Sequence, residues 1–386
     1  MLRVLVLTAI FPNPLRPNLG IFVERQALAL AGEPGIEVRV VAPVARLPFP
    51  LNLRPAERWK QALPRSECWK GLSLHRPCWT RLPRLRRLDP ARQASALLPF
   101  LAGLRREFPF DAISAEWFWP DGTVAMRIGR ALGVPFLVKA RGDDVLVIGG
   151  KRWARPHLLD AAASAGQVLA VSAGLRERMA VIGIPAESIA VHHTGVDHKL
   201  FRLQDKAAAK AKVGLAGPLL LTVGGLTARK NQALALEALT HLEGATLMLA
   251  GGGPDRAGLE AKARALRIGG RVRFLGSVPH ARMPDLYAAA DVTLSASERE
   301  GLANAWVESL ACGTPVVAAD AEGAREVLQS PDAGRIVARD PAAMAAAVRE
   351  LLASPPDRER VCAAAAAFSW ERNAAELAAH LRRIVS

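Results

Sequence analysis

Short apolar runs that alternate with amphipathic stretches are the feature that most restricts how this 386-residue chain can fold. In the first half the apolar runs lie at residues 4–8, 38–41, 112–114, 136–139, 167–171 and 189–192. In the second half they lie at residues 219–223, 246–250, 272–275, 292–295, 316–318 and 335–337. Strands that are apolar throughout and alternate with helices form parallel sheets covered on both faces. The sequence therefore predicts an α/β protein.

The length of the chain and the two series of strands predict two Rossmann-like, doubly wound domains that face each other across a cleft. Residues 201–218, polar and then Gly/Pro-containing, are the natural hinge. We therefore expect an N-terminal domain at residues 1–200 and a second domain at residues 201–368. The terminal helix, residues 369–386, could pack on either half or cross back to the first. Ligands of such folds bind at the carboxyl ends of the strands.

The composition of the chain restricts where the protein can be located and which cofactors it can bind. No window approaches the roughly 18 apolar residues that a membrane span needs. The apolar N-terminus is interpreted as a buried strand, because Phe11-Pro-Asn-Pro follows it and no small-residue cleavage site does, so we expect a cytoplasmic protein. The four cysteines lie far apart without metal-ligand spacing, and a structural role for His192-His193 is favoured over a metal site. Neither a metal nor another cofactor is expected.

Residues 297–317 carry the most informative motif. A strand ends at Ser295, a polar loop follows, and a helix is predicted from about residue 303 to residue 311. Gly313 suits the end of that helix. Glu300 is thus predicted in the loop at the carboxyl end of a strand, and Glu308 within the helix.

Two helical residues eight apart differ by about 80° around the axis, so the two glutamates would not share one face. Between them, the backbone N–H groups of Gly301, Leu302 and Ala303 are predicted to form an anion site at the helix start. A carboxylate beside an anion site fits a ligand with both hydroxyls and phosphates, as in a nucleotide sugar. The alternative is that Glu308 is only a solvated helix residue.

This segment resembles the retaining GT-B glycosyltransferases of family 4, whose hallmark is Glu, seven residues, Glu, and then Gly-x-Pro-Val-Val. Glu300, Glu308 and Gly313-Thr-Pro-Val-Val match that pattern. The resemblance implies that the first glutamate contacts the transferred sugar and the second the ribose. It also implies that the backbone around Leu275 meets the base. The resemblance covers nearly the whole chain, although Thr194 stands where the family usually has Asn.

A second motif runs from Leu221 through Gly-Gly to Arg229-Lys230 before a predicted helix. Lys230 could stabilise a leaving diphosphate, since backbone groups alone cannot neutralise it. The spacing is not that of a Walker A loop. Lys230 matches the lysine of the resembled family, whereas Gly225 replaces its arginine, which Arg229 could offset. The alternative is a basic pair at the surface.

The first half carries weaker signals. Gly20 precedes a helix, and the resemblance implies that the backbone of this loop approaches the donor. A strand ending at residue 139 is predicted to project Arg141 and Asp143 into the cleft, where many family members have His-Gly. Arg141 is therefore a candidate contact to donor or acceptor, and Asp143 a candidate contact to the acceptor or a partner of Arg141. Trp119, in Trp-Pro-Asp-Gly, is a second candidate on the acceptor side.

The net charge of +15 is unevenly distributed. Residues 54–92, which we call the basic segment, hold eleven Lys/Arg and three Asp/Glu, interleaved with Trp59, Trp69 and Trp79. Tryptophan with basic residues is typical of a surface that contacts anionic lipid. A solvated loop or a nucleic-acid surface would use the same residues. We rank membrane contact above nucleic acid because the other motifs specify a sugar donor.

A dehydrogenase is excluded, because Arg256 occupies the last glycine position of a GxGxxG pattern that would begin at Gly251. The predicted function is a retaining glycosyltransferase that moves a sugar from a UDP- or GDP-linked donor to a glycan or lipid-linked acceptor, in cell-surface or exopolysaccharide synthesis. The alternatives are a nucleotide-sugar epimerase and a non-catalytic, basic membrane- or nucleic-acid-binding protein. Glu300, Lys230 and Arg141 are the predicted catalytic residues.

Overall fold

The computed structural model describes the backbone of residues 1–386 and every side chain except that of Ala56. The chain divides into two compact units. Unit 1 comprises Met1–Thr194 together with Trp370–Ser386, and unit 2 comprises Gly195–Ser369. Among the described residues, no helix is long and apolar enough to cross a membrane.

Unit 1 is built around an eight-stranded sheet. The strands of unit 1 are β1 (Leu2–Leu7), β2 (Ile36–Val41), β3 (Val44–Arg46), β4 (Ser66–Trp69), β5 (Leu72–His75), β6 (Cys78–Thr80), β7 (Ala112–Ala115), β8 (Phe136–Ala140), β9 (Gln167–Ala170) and β10 (Ile189–Val191). Its helices are α1 (Ile21–Ala31), α2 (Pro55–Arg58), α3 (Asp89–Glu107), α4 (Thr123–Leu132), α5 (Asp143–Leu146), α6 (Arg155–Ser164), α7 (Ala173–Val181) and the terminal α16 (Trp370–Val385).

The strand order of this sheet is β10-β9-β8-β7-β1-β2-β5-β4, and β3 pairs with β6 in a separate two-stranded sheet. All pairs are parallel except β4 with β5. The central strand β1 is apolar because both of its faces are covered, and Leu5 and Leu7 are fully buried. Helix α16 packs against α1 and adds Leu377 and Leu381 to the core that contains Val4 and Val6 of β1, so the terminal helix belongs to unit 1.

Unit 2 is a second doubly wound unit, built around a six-stranded sheet. Its strands are β11 (Leu219–Val223), β12 (Thr246–Ala250), β13 (Val272–Gly276), β14 (Val292–Ser295), β15 (Val316–Ala319) and β16 (Gly334–Val337). Its helices are α8 (Lys206–Val213), α9 (Gln232–Thr240), α10 (Arg256–Ala265), α11 (Met283–Ala289), α12 (Asn304–Ala311), α13 (Ala324–Val327), α14 (Pro341–Ala353) and α15 (Arg358–Ala363). The sheet order is β13-β12-β11-β14-β15-β16, and all its pairs are parallel. The predicted α/β class with two parallel-sheet units is confirmed.

The segment predicted as a hinge, residues 201–218, contains helix α8. Asp205 caps this helix by accepting a hydrogen bond from the amide of Ala208 at 2.7 Å, and Gly214 ends it in the left-handed conformation. Lys210 pairs with Asp291 at 2.7 Å, so α8 is held to unit 2. This helix was not predicted from the sequence, because its lysines made the segment resemble a polar linker.

The tryptophans of the basic segment differ in exposure: Trp79 is buried, whereas Trp59 and Trp69 are partly exposed. Trp79 is 6% exposed, and the indole N–H of Trp69 donates to the buried Glu24. The guanidinium of Arg16 lies over the ring of Trp59, 4.1 Å from its centroid. Membrane contact through this segment stays a prediction.

At Gly334 in β16, a side chain would collide with the neighbouring parallel strand of unit 2. Its φ is +142°, and a Cβ would lie 1.8 Å from the carbonyl oxygen of Val316 in the neighbouring strand. We expect Gly334→Ala to lower the free energy of unfolding by roughly 2–4 kcal/mol, measured by urea unfolding. The control is Gly258→Ala in α10, where no atom lies within 4 Å of the added Cβ and alanine stabilises by about 0.5–1 kcal/mol. Equal midpoints for the two variants would contradict the close approach.

Candidate active site

In unit 2, the predicted donor residues lie where the strand order reverses, between β11 and β14. Arg229 and Lys230 follow β11 along the chain, and Glu300 follows β14. The carboxyl ends of strands at such a reversal leave a crevice in which doubly wound folds bind ligands. The topology of unit 2 therefore brings the two separate sequence motifs to one place.

Glu300 forms an ion pair with both cations. Its carboxylate contacts the ammonium of Lys230, and Arg229 Nη1 lies 3.3 Å from its Oε1. Burial, at 8% exposure, would raise the pKa of Glu300, but the positive charges of Lys230 and Arg229 outweigh it and hold the pKa below its usual range. Glu300 is thus an ionised acceptor for hydroxyl groups, with two cations beside it that suit an anion.

The two loops that carry these residues are joined through their backbones. The amide of Glu298 donates to the carbonyl of Arg229 at 2.9 Å, and Arg229 Nη1 donates to the carbonyl of Arg299 at 2.9 Å. Gln232 Nε2 closes the first loop by donating to the carbonyl of Gly225 at 2.9 Å. These contacts fix Lys230 and Glu300 on rigid neighbouring loops rather than on independent ones.

Glu308 is held by two side chains that the sequence analysis missed. His280 Nε2 lies 3.0 Å from Oε1 of Glu308, and the hydroxyl of Tyr287 donates to Oε2 at 2.9 Å. Burial, together with the charge of Glu308, raises the pKa of Tyr287 well above its usual value, so this hydroxyl remains a donor. Glu308 is therefore not a solvated helix residue. The available signal was that Tyr287 is the one tyrosine in the sequence.

Residues 301–303 form a loop before α12, which begins at Asn304 with Ala303 as its N-cap, one residue later than predicted. The loop is held by the amide of Gly323, which donates to the carbonyl of Glu300 at 3.1 Å. Leu302 and Ala303 are each 8% exposed. An anion site on these amides stays a prediction, as does base contact at Leu275, whose side chain in β13 is 37% exposed.

In unit 1, the strand order reverses between β1 and β7, and several predicted residues lie in the loops that follow strands there. Gly20 is the N-cap of α1 with a φ of +68°, and a Cβ would lie 2.7 Å from the carbonyl oxygen of Ile10. This position requires glycine because the backbone is left-handed and the loop after β1 passes against it. Its approach to a donor stays a prediction.

Arg141 lies inside unit 1. Its guanidinium pairs with the fully buried carboxylate of Glu116, donates from Nε to the carbonyl of Glu116 at 2.8 Å, and donates from Nη2 to Gln26 Oε1 at 3.1 Å. We expected this side chain to project toward a ligand. It turns inward instead, because Glu116, which the sequence analysis missed, is a buried charge that needs a cation. Arg141 is thus placed to hold the loops after β7 and β8.

A buried chain of polar groups continues from this ion pair to the terminal helix. Lys139 Nζ donates to Gln26 Oε1 at 3.0 Å and lies 2.9 Å from His192 Nδ1, while His192 Nε2 donates to the carbonyl of Asn373 at 2.8 Å. Burial and the charge of Arg141 lower the pKa of Lys139 well below its usual value. The role of His192 here is structural. Among the described residues, no group of three His, Cys, Asp or Glu side chains is arranged to hold a metal.

Unit 1 also contains a cavity of about 620 Å³, bordered by the loops after β1 and β7. Trp119 and Asp143, the two predicted acceptor-side residues, both line it. Trp119 is 8% exposed and meets Trp153 edge-on at 5.1 Å. Asp144, beside Asp143, accepts from the amides of Phe118 at 2.7 Å and Gly142 at 2.8 Å, which fixes the rim of the cavity.

Comparison with known proteins identifies the class of this fold and site. Residues 204–368 match the family described as glycosyl transferases group 1, and residues 19–195 match the glycosyl transferase 4-like domain. The chain is 32% identical over 295 residues to the D-inositol 3-phosphate glycosyltransferase of Frankia alni, an alignment that covers 69% of this chain and 72% of that protein. It is 26% identical over 332 residues to TuaC of Bacillus subtilis, a glycosyltransferase assigned to teichuronic acid biosynthesis, with 83% and 82% covered.

Several solved structures share the fold of this chain. The sucrose-phosphate synthase of Thermosynechococcus elongatus superposes with a TM-score of 0.76 at 20% identity, over 99% of this chain and 98% of that one. Anabaena HepE in complex with UDP also gives 0.76, at 19% identity, over 99% and 100%. The fold is thus of the GT-B type. The chain belongs to glycosyltransferase family 4 and is an enzyme, so the epimerase and the non-catalytic binding protein are set aside.

Asp121 gives unit 1 a pH-dependent stability. It is fully buried, its Oδ2 accepts from the amide of Ala9 at 3.0 Å, and its Oδ1 has no partner among the described residues. Burial, and then the charges of Glu116 and Asp144, raise its pKa well above the usual value. The folded state therefore favours the protonated carboxyl. The stability that this group contributes is present at a pH below the pKa of the unfolded chain and is lost as pH rises through the folded pKa.

We expect Asp121→Asn, which is neutral at every pH, to be more stable than the wild type at pH 8 and to lose that advantage toward pH 4. Urea unfolding followed by tryptophan fluorescence reports on unit 1, because seven of the eight tryptophans lie in it. Asp160→Asn, in an exposed ion pair with Arg130 at 3.1 Å, is the control and should change stability little at any pH. A pH-independent difference for Asp121→Asn would refute the protonated state.

Proposed function

We propose that this glycosyltransferase moves a sugar from a nucleoside diphosphate sugar to a glycan or lipid-linked acceptor and retains the configuration at C1. The observation that carries the proposal is the ion-paired cluster of Glu300, Lys230 and Arg229 at the strand-order reversal of unit 2. A carboxylate accepts hydrogen bonds from sugar hydroxyls, and the adjacent cations attract a diphosphate. The fold likeness to HepE, whose structure contains UDP, supports a nucleotide donor.

In this proposal each part of the donor has its own partners in unit 2. Lys230 and Arg229 bind the diphosphate, together with the amides of residues 301–303. Glu308 accepts from the ribose hydroxyls, and its carboxylate is oriented for that by His280 and Tyr287. The base, of UDP or GDP, lies at the turn that follows Leu275. The positive charge comes from side chains, and the proposal includes neither a metal nor another cofactor.

The chemical step needs no attacking carboxylate, because Glu300 is occupied by Lys230 and serves to orient the sugar hydroxyls. The bond between C1 and the diphosphate oxygen breaks, and its electron pair leaves with the diphosphate. The acceptor hydroxyl oxygen bonds to C1 from the same face. Its proton passes to the departing diphosphate oxygen. Lys230 and Arg229 stabilise the charge that develops on the leaving group.

We expect Glu300→Ala to lower kcat by at least about a hundredfold, because the sugar loses its orienting acceptor and Lys230 its partner. Nucleoside diphosphate release from UDP- and GDP-sugars measures the rate, and thermal shift with the same donors measures binding. Glu298→Ala is the matched control: it lies two residues earlier, its side chain is exposed, and its activity should be unchanged. Full activity in Glu300→Ala would overturn the assigned site.

We also propose that unit 1 contacts an anionic membrane, through a different set of side chains from the tryptophans. Strands β3 and β6 are parallel neighbours, so the segments that come after them leave the same edge. These segments expose apolar side chains, at 78% for Phe49, 49% for Leu53, 38% for Leu85 and 41% for Leu88. Exposed arginines accompany them at positions 54, 58, 84, 86 and 87.

Apolar side chains flanked by arginine suit the boundary between headgroups and acyl chains of an anionic leaflet. The cytoplasmic leaflet is anionic, so the proposal places the enzyme at the inner face of the membrane. Such a position fits a lipid-linked acceptor and a role in cell-surface or exopolysaccharide synthesis, consistent with the likeness to TuaC.

We expect vesicles of phosphatidylcholine and phosphatidylserine to carry the protein upward in a flotation gradient, and 1 M KCl to weaken the binding. The double substitution Phe49→Ser and Leu85→Ser should reduce the bound fraction at least about tenfold, because two inserted side chains are lost. Val181→Ser, which removes a 69% exposed side chain from α7, should float like the wild type. Equal recovery with and without vesicles, or retention on duplex DNA alone, would remove this proposal.

A further inference from the structure

Four residues that line the cavity of unit 1 each carry a buried polar atom that has no hydrogen-bond partner among the described residues. These atoms are Nε1 of Trp79, Nε1 of Trp117, Oδ1 of Asp89 and Oε1 of Gln93. The side chains of Trp79, Asp89 and Gln93 are more than nine-tenths buried, at 6%, 6% and 1% exposure. Buried polar groups in proteins are nearly always satisfied. Four unsatisfied atoms around one cavity therefore indicate groups reserved for a ligand.

The chemistry of these atoms defines the kind of ligand. The two indole N–H groups can only donate, whereas the carboxylate of Asp89 and the amide oxygen of Gln93 accept. A ligand that satisfies all four must bring both acceptors and donors close together. A hydroxyl group is both at once, so a ring with several hydroxyls fits. The rings of Trp59 and Trp119 line the same cavity, and the guanidinium of Arg16 lies over the ring of Trp59.

The charge in the cavity adds a second requirement. Two of its lining cations are already neutralised, since Lys60 pairs with Glu57 at 2.7 Å and Arg76 pairs with Glu67. By contrast, Arg16, Arg81 and Arg86 have no carboxylate within ion-pair distance among the described side chains. Arginines without a carboxylate partner around a hydroxyl-binding cavity suit a dianionic group, and guanidinium binds phosphate through paired hydrogen bonds.

The acidic residues that line the cavity offset only part of this charge. Asp144 accepts hydrogen bonds from backbone amides. The carboxylate of Asp89 interacts electrostatically with Arg81, Arg86 and Arg92. Asp143, at the rim, also has a partner of its own. The lining therefore keeps a positive side at the arginines and a hydrogen-bonding side at Asp89 and Gln93.

We propose that this cavity binds the acceptor as a sugar that carries a phosphate group. The ring hydroxyls bind Asp89, Gln93 and the indole N–H groups, and the phosphate binds Arg81 and Arg86. The assignment rests on the proposed function, because it names the acceptor class of that transfer. The same chemistry occurs in a soluble sugar phosphate and in a sugar linked through diphosphate to a polyprenyl lipid, and the experiment separates these two sources.

The test uses the intact protein in the presence of saturating UDP, so that the donor groups of unit 2 are occupied. Isothermal titration and quenching of tryptophan fluorescence measure binding of glucose 1-phosphate, of glucose, and of glucose linked through diphosphate to a farnesyl chain. We expect both phosphorylated probes to bind at least about tenfold tighter than glucose. Tighter binding of the farnesyl probe than of glucose 1-phosphate identifies the lipid-linked source, and the reverse order identifies the soluble one.

Variants locate the two parts of the site. The double substitution Arg81→Gln and Arg86→Gln should weaken the phosphorylated probes about tenfold and leave glucose binding unchanged. Trp79→Phe, which keeps the ring and removes the N–H, should weaken all three probes. Arg106→Gln, an exposed position on α3 outside the cavity, is the matched control for charge and should bind like the wild type.

Equal affinity for glucose and the phosphorylated probes, or wild-type affinity in the double glutamine variant, would overturn the phosphate assignment. Binding of UDP and of GDP to the same proteins is measured separately. If the wild type binds UDP but no phosphorylated sugar, the acceptor assignment fails alone. If the wild type binds neither UDP nor GDP, it is the proposed donor site that fails.

Discussion

Parallel pairing of strands that are buried on both faces is the constraint on which both units depend. Leu5 and Leu7 in β1 and Leu220 and Leu221 in β11 have no exposed surface, so these strands have no face left for a ligand. Each parallel strand also needs a crossover connection, which places the variable loops at the strand ends. The reversals of strand order, β1 with β7 and β11 with β14, then determine where charged side chains can collect.

The two units place charged side chains differently at these reversals of strand order. In unit 2 the buried carboxylate of Glu300 meets two cations that are themselves partly exposed, so the cluster can exchange internal contacts for contacts with a ligand. In unit 1 the pair of Glu116 and Arg141 is buried, and removing either partner would leave an uncompensated charge at a cost of about 3–5 kcal/mol. The buried pair therefore fixes loops whose neighbouring residues line the cavity, whereas the cluster of unit 2 keeps its two cations partly exposed.

Features that arise from local pattern were predictable from the sequence, whereas features that depend on distant partners were not. The strand runs, the loop position of Glu300 and the helical position of Glu308 were predicted from hydrophobic periodicity and spacing, and the structure agrees. The inward turn of Arg141 depends on Glu116, 25 residues away, which no periodicity reveals. His280 is 28 residues from Glu308 and equally hidden. Strands β3 to β6 were missed because polar and charged residues interrupt their apolar pattern.

The excess positive charge of the chain has more than one physical role. The net charge alone does not distinguish these roles. Within one short stretch, Arg81 is a partly buried part of the cavity lining, Arg86 lines the cavity from an exposed position, and Arg84 and Arg87 are exposed outside it. Exposed charges act through solvent and are screened within about 8 Å at physiological ionic strength, whereas partly buried ones are screened less. Attraction to a membrane and recognition of a phosphorylated acceptor should therefore respond differently to salt. One basic segment can serve both, because neighbouring arginines point into different environments.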